Sequence, residues 1–185
     1  MGIPPNVPRS NIAAVRREGV GHPVPFSGDH GPQPMDERDK FTFPADYANG
    51  VEYLSVDKPN KQIHVFYASR AAIEAAKKGQ PMPDGTVFTG VHYNAKLDAD
   101  GNPVKDANGR FVKDTLRQYA VMRKEKGWGG EYPADKRNGD WEYRIFTADH
   151  QWNDKVPAGV CLDCHLPKAG QDFVWSYENL KKAGQ

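Results

Sequence analysis

The sequence predicts an α+β fold, a mainly antiparallel β-sheet of about five strands with short helices. Five short segments between residues 51 and 147 are rich in β-branched and aromatic residues and are separated by turn signals. One Ala-rich segment between them carries helix-capping residues, and two further helical segments follow the last strand. Short turns between strands favour antiparallel neighbours.

The N-terminal segment differs from the rest of the chain in composition. Eight of the fifteen prolines lie between Pro4 and Pro44 and are interleaved with glycines. Because proline opposes both helices and β-ladders, we expect residues 1–40 to form an extended Pro/Gly-rich arm. Within it, only residues 11–18 are compatible with a helical turn. Residues 41–185 are predicted to form one domain.

The five predicted strands are short segments rich in residues that favour pleated structure. They span residues 51–56, 62–67, 86–93, 116–123 and 141–147. A Pro-Asn turn signal separates the first two strands, which we expect to pair. An Asp-Gly and an Asn-Gly signal predict a small protruding hairpin within residues 98–114.

Three short helices are predicted around this sheet. Ser69 precedes the Ala-rich segment 70–78 and Gly79 follows it, which is the pattern of a helix with an N-cap and a C-terminal glycine. Two more helical segments, residues 158–165 and 174–182, follow the fifth strand. The predicted helices therefore gather at one end of an antiparallel sheet.

The charge and hydropathy patterns exclude several classes of partner. Lys and Arg number 25 against 24 Asp and Glu, which gives a net charge of +1. Because the sequence has neither a basic stripe nor an acidic tail, we expect no nucleic-acid partner. No apolar run approaches the roughly 18 residues that a membrane helix needs, so we expect no membrane span.

The strongest chemical signal is the segment CLDCH, which has the form Cys-x-x-Cys-His. On one helical turn, the thiols of Cys161 and Cys164 can reach both vinyl groups of a haem and form thioethers. The imidazole of His165 then reaches the iron from the same side. No cysteine stands outside the motif. The motif predicts one covalently attached haem c per chain, with His165 as an iron ligand.

Two other uses of a cysteine pair fit the sequence less well. A thioredoxin-like dithiol follows an early strand of a βαβ unit, whereas this pair lies close to the C-terminus and follows the last predicted strand. A zinc site needs about four ligands, and no second cysteine pair or nearby histidine cluster completes one.

The position of the motif narrows the class of cytochrome. In ordinary electron-transfer cytochromes c the motif lies near the N-terminus and a downstream methionine is the sixth iron ligand. Here the segment that follows His165 contains neither Met nor His. The cytochromes c′ also carry a C-terminal motif, but they are four-helix bundles, which the predicted strands contradict. Both classes are therefore excluded.

Several short motifs accompany the haem motif in a defined order. They are Phe43-Pro44 with Tyr47, Pro83-Asp84-Gly85-Thr86-Val87, Gly139-Asp140-Trp141, and CLDCH followed by Asp172-Phe173-Val174. In this order, over residues 41–182, the chain resembles the cytochrome P-460 family and its gas-binding relatives, the cytochromes c′-β. The resemblance implies a mainly antiparallel fold, a homodimer, and a five-coordinate haem whose distal face is open to small nitrogenous ligands.

Members of this family differ in what they do with the haem. Some oxidise hydroxylamine with a haem cross-linked to a lysine, and others lack the cross-link and bind NO or CO. Counted from the Asp-Gly-Thr-Val motif, Gly90 stands where the cross-linking lysine would be, which leaves room above the iron. By a similar count, Arg123 stands where the hydroxylamine oxidisers carry a distal carboxylate. Lys96 and Lys124 are the nearest alternatives for a cross-link.

Strand alternation supplies the remaining site candidates. Phe88, Gly90 and His92 share one face of the third strand, and His64 and Phe66 share a face of the second. The resemblance implies that the face with Gly90 looks at the haem. Each histidine would hydrogen-bond a bound ligand, ligate the iron, or serve only a structural role.

Three functions remain open on the sequence. The first is binding of NO or a similar small nitrogenous ligand at an open haem. The second is oxidation of hydroxylamine, with electrons passed to a redox partner cytochrome. The third is electron transfer by a six-coordinate haem ligated by His92, His64 or Met122. We expect a periplasmic protein, and since residues 1–10 show no secretory signal, we expect that signal to have been removed.

Overall fold

The computed structural model describes residues 42–184, so the predicted N-terminal arm lies outside the described residues. The strands are β1 (Val51–Lys58), β2 (Gln62–Ala68), β3 (Val87–Ala95), β4 (Lys113–Lys124) and β5 (Trp141–Thr147). The helices are α1 (Arg70–Lys77), α2 (Ala158–His165) and α3 (Tyr177–Lys182), with 3-10 helices at Tyr47–Asn49 and Leu166–Gln171. The predicted α+β fold is confirmed.

The five strands form one sheet in the order β1-β2-β3-β4-β5, and every neighbouring pair is antiparallel. Each strand therefore lies beside the strand that follows it along the chain. In the middle of the sheet, Gly90 on β3 lies opposite Phe66 on β2 and Ala120 on β4. His92 lies opposite His64 on β2 and Gln118 on β4.

The hairpin predicted within residues 98–114 is present and is tied to the outer strand β1. Two isolated bridges form it, between Leu97 and Pro103 and between Lys105 and Phe111. The carboxylate of Asp57 accepts hydrogen bonds from the Arg110 guanidinium at 2.8 Å and from the Phe111 amide at 3.0 Å. Arg110 also donates to the Ser55 carbonyl at 3.1 Å. The hairpin is therefore hydrogen-bonded to β1, the outer strand of the sheet.

Helix α1 has the ends that its sequence predicts. The Ser69 hydroxyl accepts a hydrogen bond from the amide of Ala72 at 3.2 Å, which satisfies a donor of the first turn. Gly79 follows the helix with φ +67°, a conformation that a residue with a side chain adopts at a cost.

Helix α3 begins at Tyr177, so the expected start at residue 174 is wrong. The Tyr177 amide donates to the Val174 carbonyl at 3.3 Å, so residues 174–177 form a turn that precedes the helix. Before this turn, Asp172 and Phe173 have φ values of 51° and 61°, in the left-handed region. The sequence does not signal this conformation, because neither residue is glycine.

Both faces of the sheet are covered by apolar residues. On one face, the helices pack with strand residues such as Phe88, Met122 and Trp141. On the other face, a second cluster contains Val65, Val91, Tyr119, Val121 and Phe146, and the Phe43 ring packs against it. Within residues 42–184, no helix is both long and apolar enough to cross a bilayer.

Burial of α3 against the helical face predicts how the C-terminus contributes to stability. Leu180 is fully buried, so Leu180→Ala leaves a cavity and should lower the free energy of unfolding by about 2–5 kcal/mol. Leu97→Ala is the matched control, because Leu97 is 47% exposed in the hairpin, and its effect should stay within about 0.5 kcal/mol. Denaturant unfolding of the two variants measures the difference, and equal midpoints would contradict the assignment of α3 to the core.

Candidate haem site

A cavity of about 510 Å³ brings the haem motif together with the sheet. Cys161, Cys164 and His165 all line it. So do the five strand residues that alternation selected, and these are His64, Phe66, Phe88, Gly90 and His92. The structure therefore places eight of the sequence-derived positions around one space.

Helix α2 presents the two thiols of the motif together. Cys161 and Cys164 are three residues apart, a spacing that places side chains on one face of a helix. Leu162 between them is buried in the helical core. The buried Asn138 amide donates to the Leu162 carbonyl at 3.1 Å and to the Tyr143 hydroxyl at 3.0 Å. Asn138 thereby ties the motif helix to β5.

The surroundings of the His165 imidazole favour the form of the ring that can bind a metal ion. Its Nδ1–H donates to the Phe173 carbonyl at 2.7 Å, because a carbonyl oxygen can only accept. In the neutral ring the lone pair then belongs to Nε2. Burial lowers the pKa of His165, and the bond to Phe173 opposes part of that shift. The neutral, ligating form is therefore favoured.

The carbonyl that orients His165 belongs to an unusual stretch of backbone. Asp172 and its neighbour Phe173 both have positive φ, which costs a residue with a side chain about 1–2 kcal/mol. The Asp172 carboxylate offsets this cost, since it accepts hydrogen bonds from the Met82 amide at 2.8 Å and from the Lys124 ammonium at 2.9 Å. Both charged side chains are only 15% exposed. This ion pair holds the strained segment that faces His165.

Two histidines stack on each other in the wall formed by the sheet. The rings of His64 and His92 lie 3.6 Å apart with 3° between their planes. Burial is the largest cause that lowers the pKa of His64 to about 4 and that of His92 to about 3. Both rings are therefore neutral at neutral pH. Nε2 of His64 lies 3.1 Å from the side-chain oxygen of Gln62, and Nδ1 of His92 lies 3.3 Å from the side-chain nitrogen of Gln118.

Gly90 lines the cavity, and two neighbouring side chains occupy the space that a side chain at this position would take. A Cβ atom built on Gly90 would lie 3.1 Å from Cε1 of Phe66 and 3.3 Å from Nε2 of His92. These distances are shorter than ordinary van der Waals contact. The glycine therefore lets the two side chains close over the backbone of β3.

The structure does not bring Arg123 to the cavity. Arg123 is the strand neighbour of Met122, which lines the cavity, and so its side chain lies on the opposite face of the sheet. Its guanidinium donates to the Glu125 carboxylate at 2.8 Å and lies 5.5 Å from the centre of the Trp128 ring. The count along the sequence placed Arg123 at the distal site, but it did not consider which face of β4 carries the Arg123 side chain.

Several cavity residues were not anticipated. They include Lys58, Tyr53, Tyr143 and Val174. Tyr143 could have been found, because it shares a strand face with Trp141 in a strand whose limits were predicted correctly. Lys58 could not, because β1 continues beyond its predicted end. The two lysines considered for a cross-link, Lys96 and Lys124, are absent from the described lining.

The alternative uses of the cysteine pair gain no support from its surroundings. Burial raises the pKa of the Cys161 thiol, whereas a dithiol redox site needs a readily formed thiolate. Among residues 42–184, no three or more His, Cys, Asp or Glu side chains are grouped so that they could hold a metal ion. A structural zinc site would need such a group.

A comparison with models of known protein families shows the family to which the chain belongs. The model for Cytochrome P460 matches residues 44–176, a range that includes all five strands and the motif helix. The chain belongs to the cytochrome P460 family. No curated protein sequence is similar enough to count as a match.

The site fits the haem that the cytochrome P460 family implies. The cavity volume lies within the range of about 300–1,000 Å³ that cofactor pockets have. Its described lining is mostly aromatic and aliphatic, with Lys58 and Arg144 as charged members, and it includes the His165 imidazole, whose Nε2 is the lone-pair nitrogen. A half-buried histidine that donates its other nitrogen to a backbone carbonyl, as His165 does, is typical of metal ligation.

The ion pair beside His165 yields a prediction about the proximal side. Asp172→Asn keeps an oxygen that can accept from Met82 but removes the charge that faces Lys124. It should lower the free energy of unfolding by about 1–3 kcal/mol, and the weaker hold on the Phe173 carbonyl should lower the iron–histidine stretching frequency of the ferrous protein. Chemical denaturation and resonance Raman spectroscopy measure the two effects.

A matched control for Asp172→Asn is Glu74→Gln, which breaks the exposed ion pair with Lys77 on α1. Such surface pairs contribute little, so its effect on stability should be below about 0.5 kcal/mol and the Raman band should not move. If the two variants behaved alike, Asp172 would have no special role in holding His165.

Proposed function

We propose that this protein is a periplasmic mono-haem c-type cytochrome that binds NO or a similar small nitrogenous ligand on the haem face opposite His165. The observation that carries the proposal is the character of the cavity. Its described lining contains the whole haem motif, and the polar side chains near Gly90 are neutral imidazoles, not carboxylates. Such a space suits a small, uncharged ligand better than a reaction that must remove protons.

Covalent attachment of the haem is the first part of the proposal. Cys161 and Cys164 lie on one face of α2, and both line the same cavity as His165. The two cysteines do not form a disulfide with each other in the described structure. This arrangement supports two thioether bonds on the side from which His165 would ligate the iron.

The apolar part of the lining would control what reaches the iron. Phe66, Phe88 and Tyr53 lie together, with ring centres of Tyr53 6.3 Å from Phe66 and 6.2 Å from Phe88. Aromatic side chains at these positions exclude water and leave little room for a bulky ligand. A bound haem would supply an iron with one free coordination position. The protein would supply the neutral His165 and this restricted access.

Hydroxylamine oxidation is the second candidate function, and one observation keeps it open. Gly90 cannot form the lysine cross-link, but the side chain of Lys58 lines the cavity. A bond from this lysine to the haem would require a different attachment point from the one that the family resemblance implies. Electron transfer by a six-coordinate haem is the third, since His64, His92 and Met122 also line the cavity.

Three further features rest on the family resemblance. They are the homodimer, the redox partner cytochrome and the periplasmic location. The proposed ligand site uses residues of a single described chain and needs none of the three for its geometry.

Covalent attachment predicts a defined mass. The intact protein should weigh as much as the polypeptide plus one haem, and acid-acetone should extract no haem from it. Cys161→Ala should keep haem through Cys164, whereas Cys161→Ala combined with Cys164→Ala should release it. Val160→Ala, beside the motif but without a thiol, is the control that keeps both bonds. Extraction of haem from the unaltered protein would contradict attachment, and a tryptic peptide with Lys58 bonded to haem would favour the enzyme.

An open iron predicts defined spectra. The ferric and ferrous proteins should be high-spin, and NO should bind the ferrous iron with a shift of the Soret band. A low-spin spectrum in both states would show that a side chain occupies the sixth position, which contradicts the proposed ligand site. A red-shifted ferrous Soret band in the absence of ligand would instead indicate the cross-linked enzyme.

A further inference from the structure

The hydrogen bonds of the stacked histidines fix where their protons lie. The amide nitrogen of Gln118 lies 3.3 Å from Nδ1 of His92. An amide nitrogen can only donate, so Nδ1 of His92 accepts, and the neutral ring carries its hydrogen on Nε2. For His64, the contact is between Nε2 and the carbonyl oxygen of Gln62 at 3.1 Å. Because that oxygen can only accept, His64 uses its N–H on Gln62.

Among the contacts within residues 42–184, the N–H of this pair that has no partner is therefore the one on Nε2 of His92. Its position depends on Gly90. Nε2 of His92 would be 3.3 Å from a Cβ atom at Gly90, so it lies over the glycine at the point where β3 borders the cavity. Any larger residue at position 90 would displace it. The stacked ring of His64, 3.6 Å away, covers one face of His92.

We infer that His92, held by Gln118, is a hydrogen-bond donor to the ligand in the cavity, so that the site favours ligands whose bound form accepts a hydrogen bond. This inference rests on the proposed function, because it assigns a role at the same ligand site. The expected ligands are diatomic or nitrogenous molecules that gain negative charge on their outer atom when they bind. Gln118 is a positioning residue, since it acts through His92.

The chemistry distinguishes such ligands from CO. A hydrogen bond to an atom with partial negative charge is stronger than one to a neutral atom. Bound CO has little charge on its oxygen, so His92 would stabilise it less than NO or O₂. The polarity and donors of a distal pocket are among the features that decide which ligand a haem retains.

The groups around His92 favour the neutral ring with its single hydrogen on Nε2. Protonation would place a hydrogen on Nδ1, directed at the amide group of Gln118. Burial disfavours the charged ring, and the nearby groups His64, Arg117 and Lys58 disfavour it further. The single neutral tautomer is therefore maintained by the geometry around the ring.

The test uses the intact holoprotein with CO and NO as probes. In the ferrous CO adduct, His92→Leu should raise the C–O stretching frequency in the infrared spectrum, because the hydrogen bond that polarises the ligand is lost. NO should dissociate about tenfold faster, the change expected from one hydrogen bond of ordinary strength. His92→Gln retains an N–H donor and should restore part of both effects.

Two further variants distinguish a hydrogen bond from His92 to the ligand from a role of His92 in packing alone. Gln118→Leu keeps His92 but removes the group that fixes its proton, so the C–O band should broaden or split as both tautomers appear. His150→Asn removes a histidine that stacks on the Phe43 ring and is absent from the described cavity lining, and it should leave the C–O frequency and the NO dissociation rate unchanged. These measurements read the ligand directly and do not depend on an enzymatic activity.

The possible failures are distinguishable. If the ferrous protein does not bind CO or NO, the proposed ligand site fails. If it binds both, but His92→Leu changes neither the C–O band nor the NO dissociation rate, the ligand site stands and the donor role of His92 is overturned. Conversion of a low-spin protein to high-spin by His92→Leu would show that His92 ligates the iron, which also overturns the inference.

Discussion

The site depends on the hydrogen bond from Nδ1 of His165 to the Phe173 carbonyl. This bond joins the motif helix to the segment that follows it and decides which nitrogen of the ring can ligate iron. The carbonyl is correctly placed only because two consecutive residues adopt positive φ. That conformation persists because the Asp172 carboxylate binds both a backbone amide and Lys124. The orientation of the His165 imidazole therefore depends on Lys124, the last residue of β4.

The alternation of β-strands allows one sheet to serve both the core and the cavity. On β3, Phe88, Gly90 and His92 face the cavity, whereas Val91 packs in the cluster on the opposite face. A shift of one residue in register would exchange these sets. The central antiparallel pairs therefore fix the site geometry at the same time as they bury the core. The stacked histidines are a direct product of this register, since their positions on β2 and β3 are paired.

Features with a local cause were predictable from the sequence, and those that depend on distant contacts were not. The limits of α2 and β5 follow from local composition and were predicted correctly. The early start assigned to α3 and the cavity role assigned to Arg123 were not supported. In the first case Ser176, the residue before the helix, contacts the Tyr53 hydroxyl of β1 at 2.7 Å. The second depends on the face of β4 on which a side chain lies, which a count along the sequence does not give. The closure over Gly90 depends on Phe66, a side chain from another strand.

The hairpin beside β1 has a consequence for how the protein behaves at high concentration. An outer strand presents unpaired backbone groups that another chain can extend into an intermolecular sheet. Here Arg110 donates to the Ser55 carbonyl and to the Asp57 carboxylate, so one backbone acceptor of β1 is already bonded to the hairpin. At the other end of the sheet, the bridge between Phe146 and Trp152 occupies part of β5. Aggregation through either edge would first have to displace these segments.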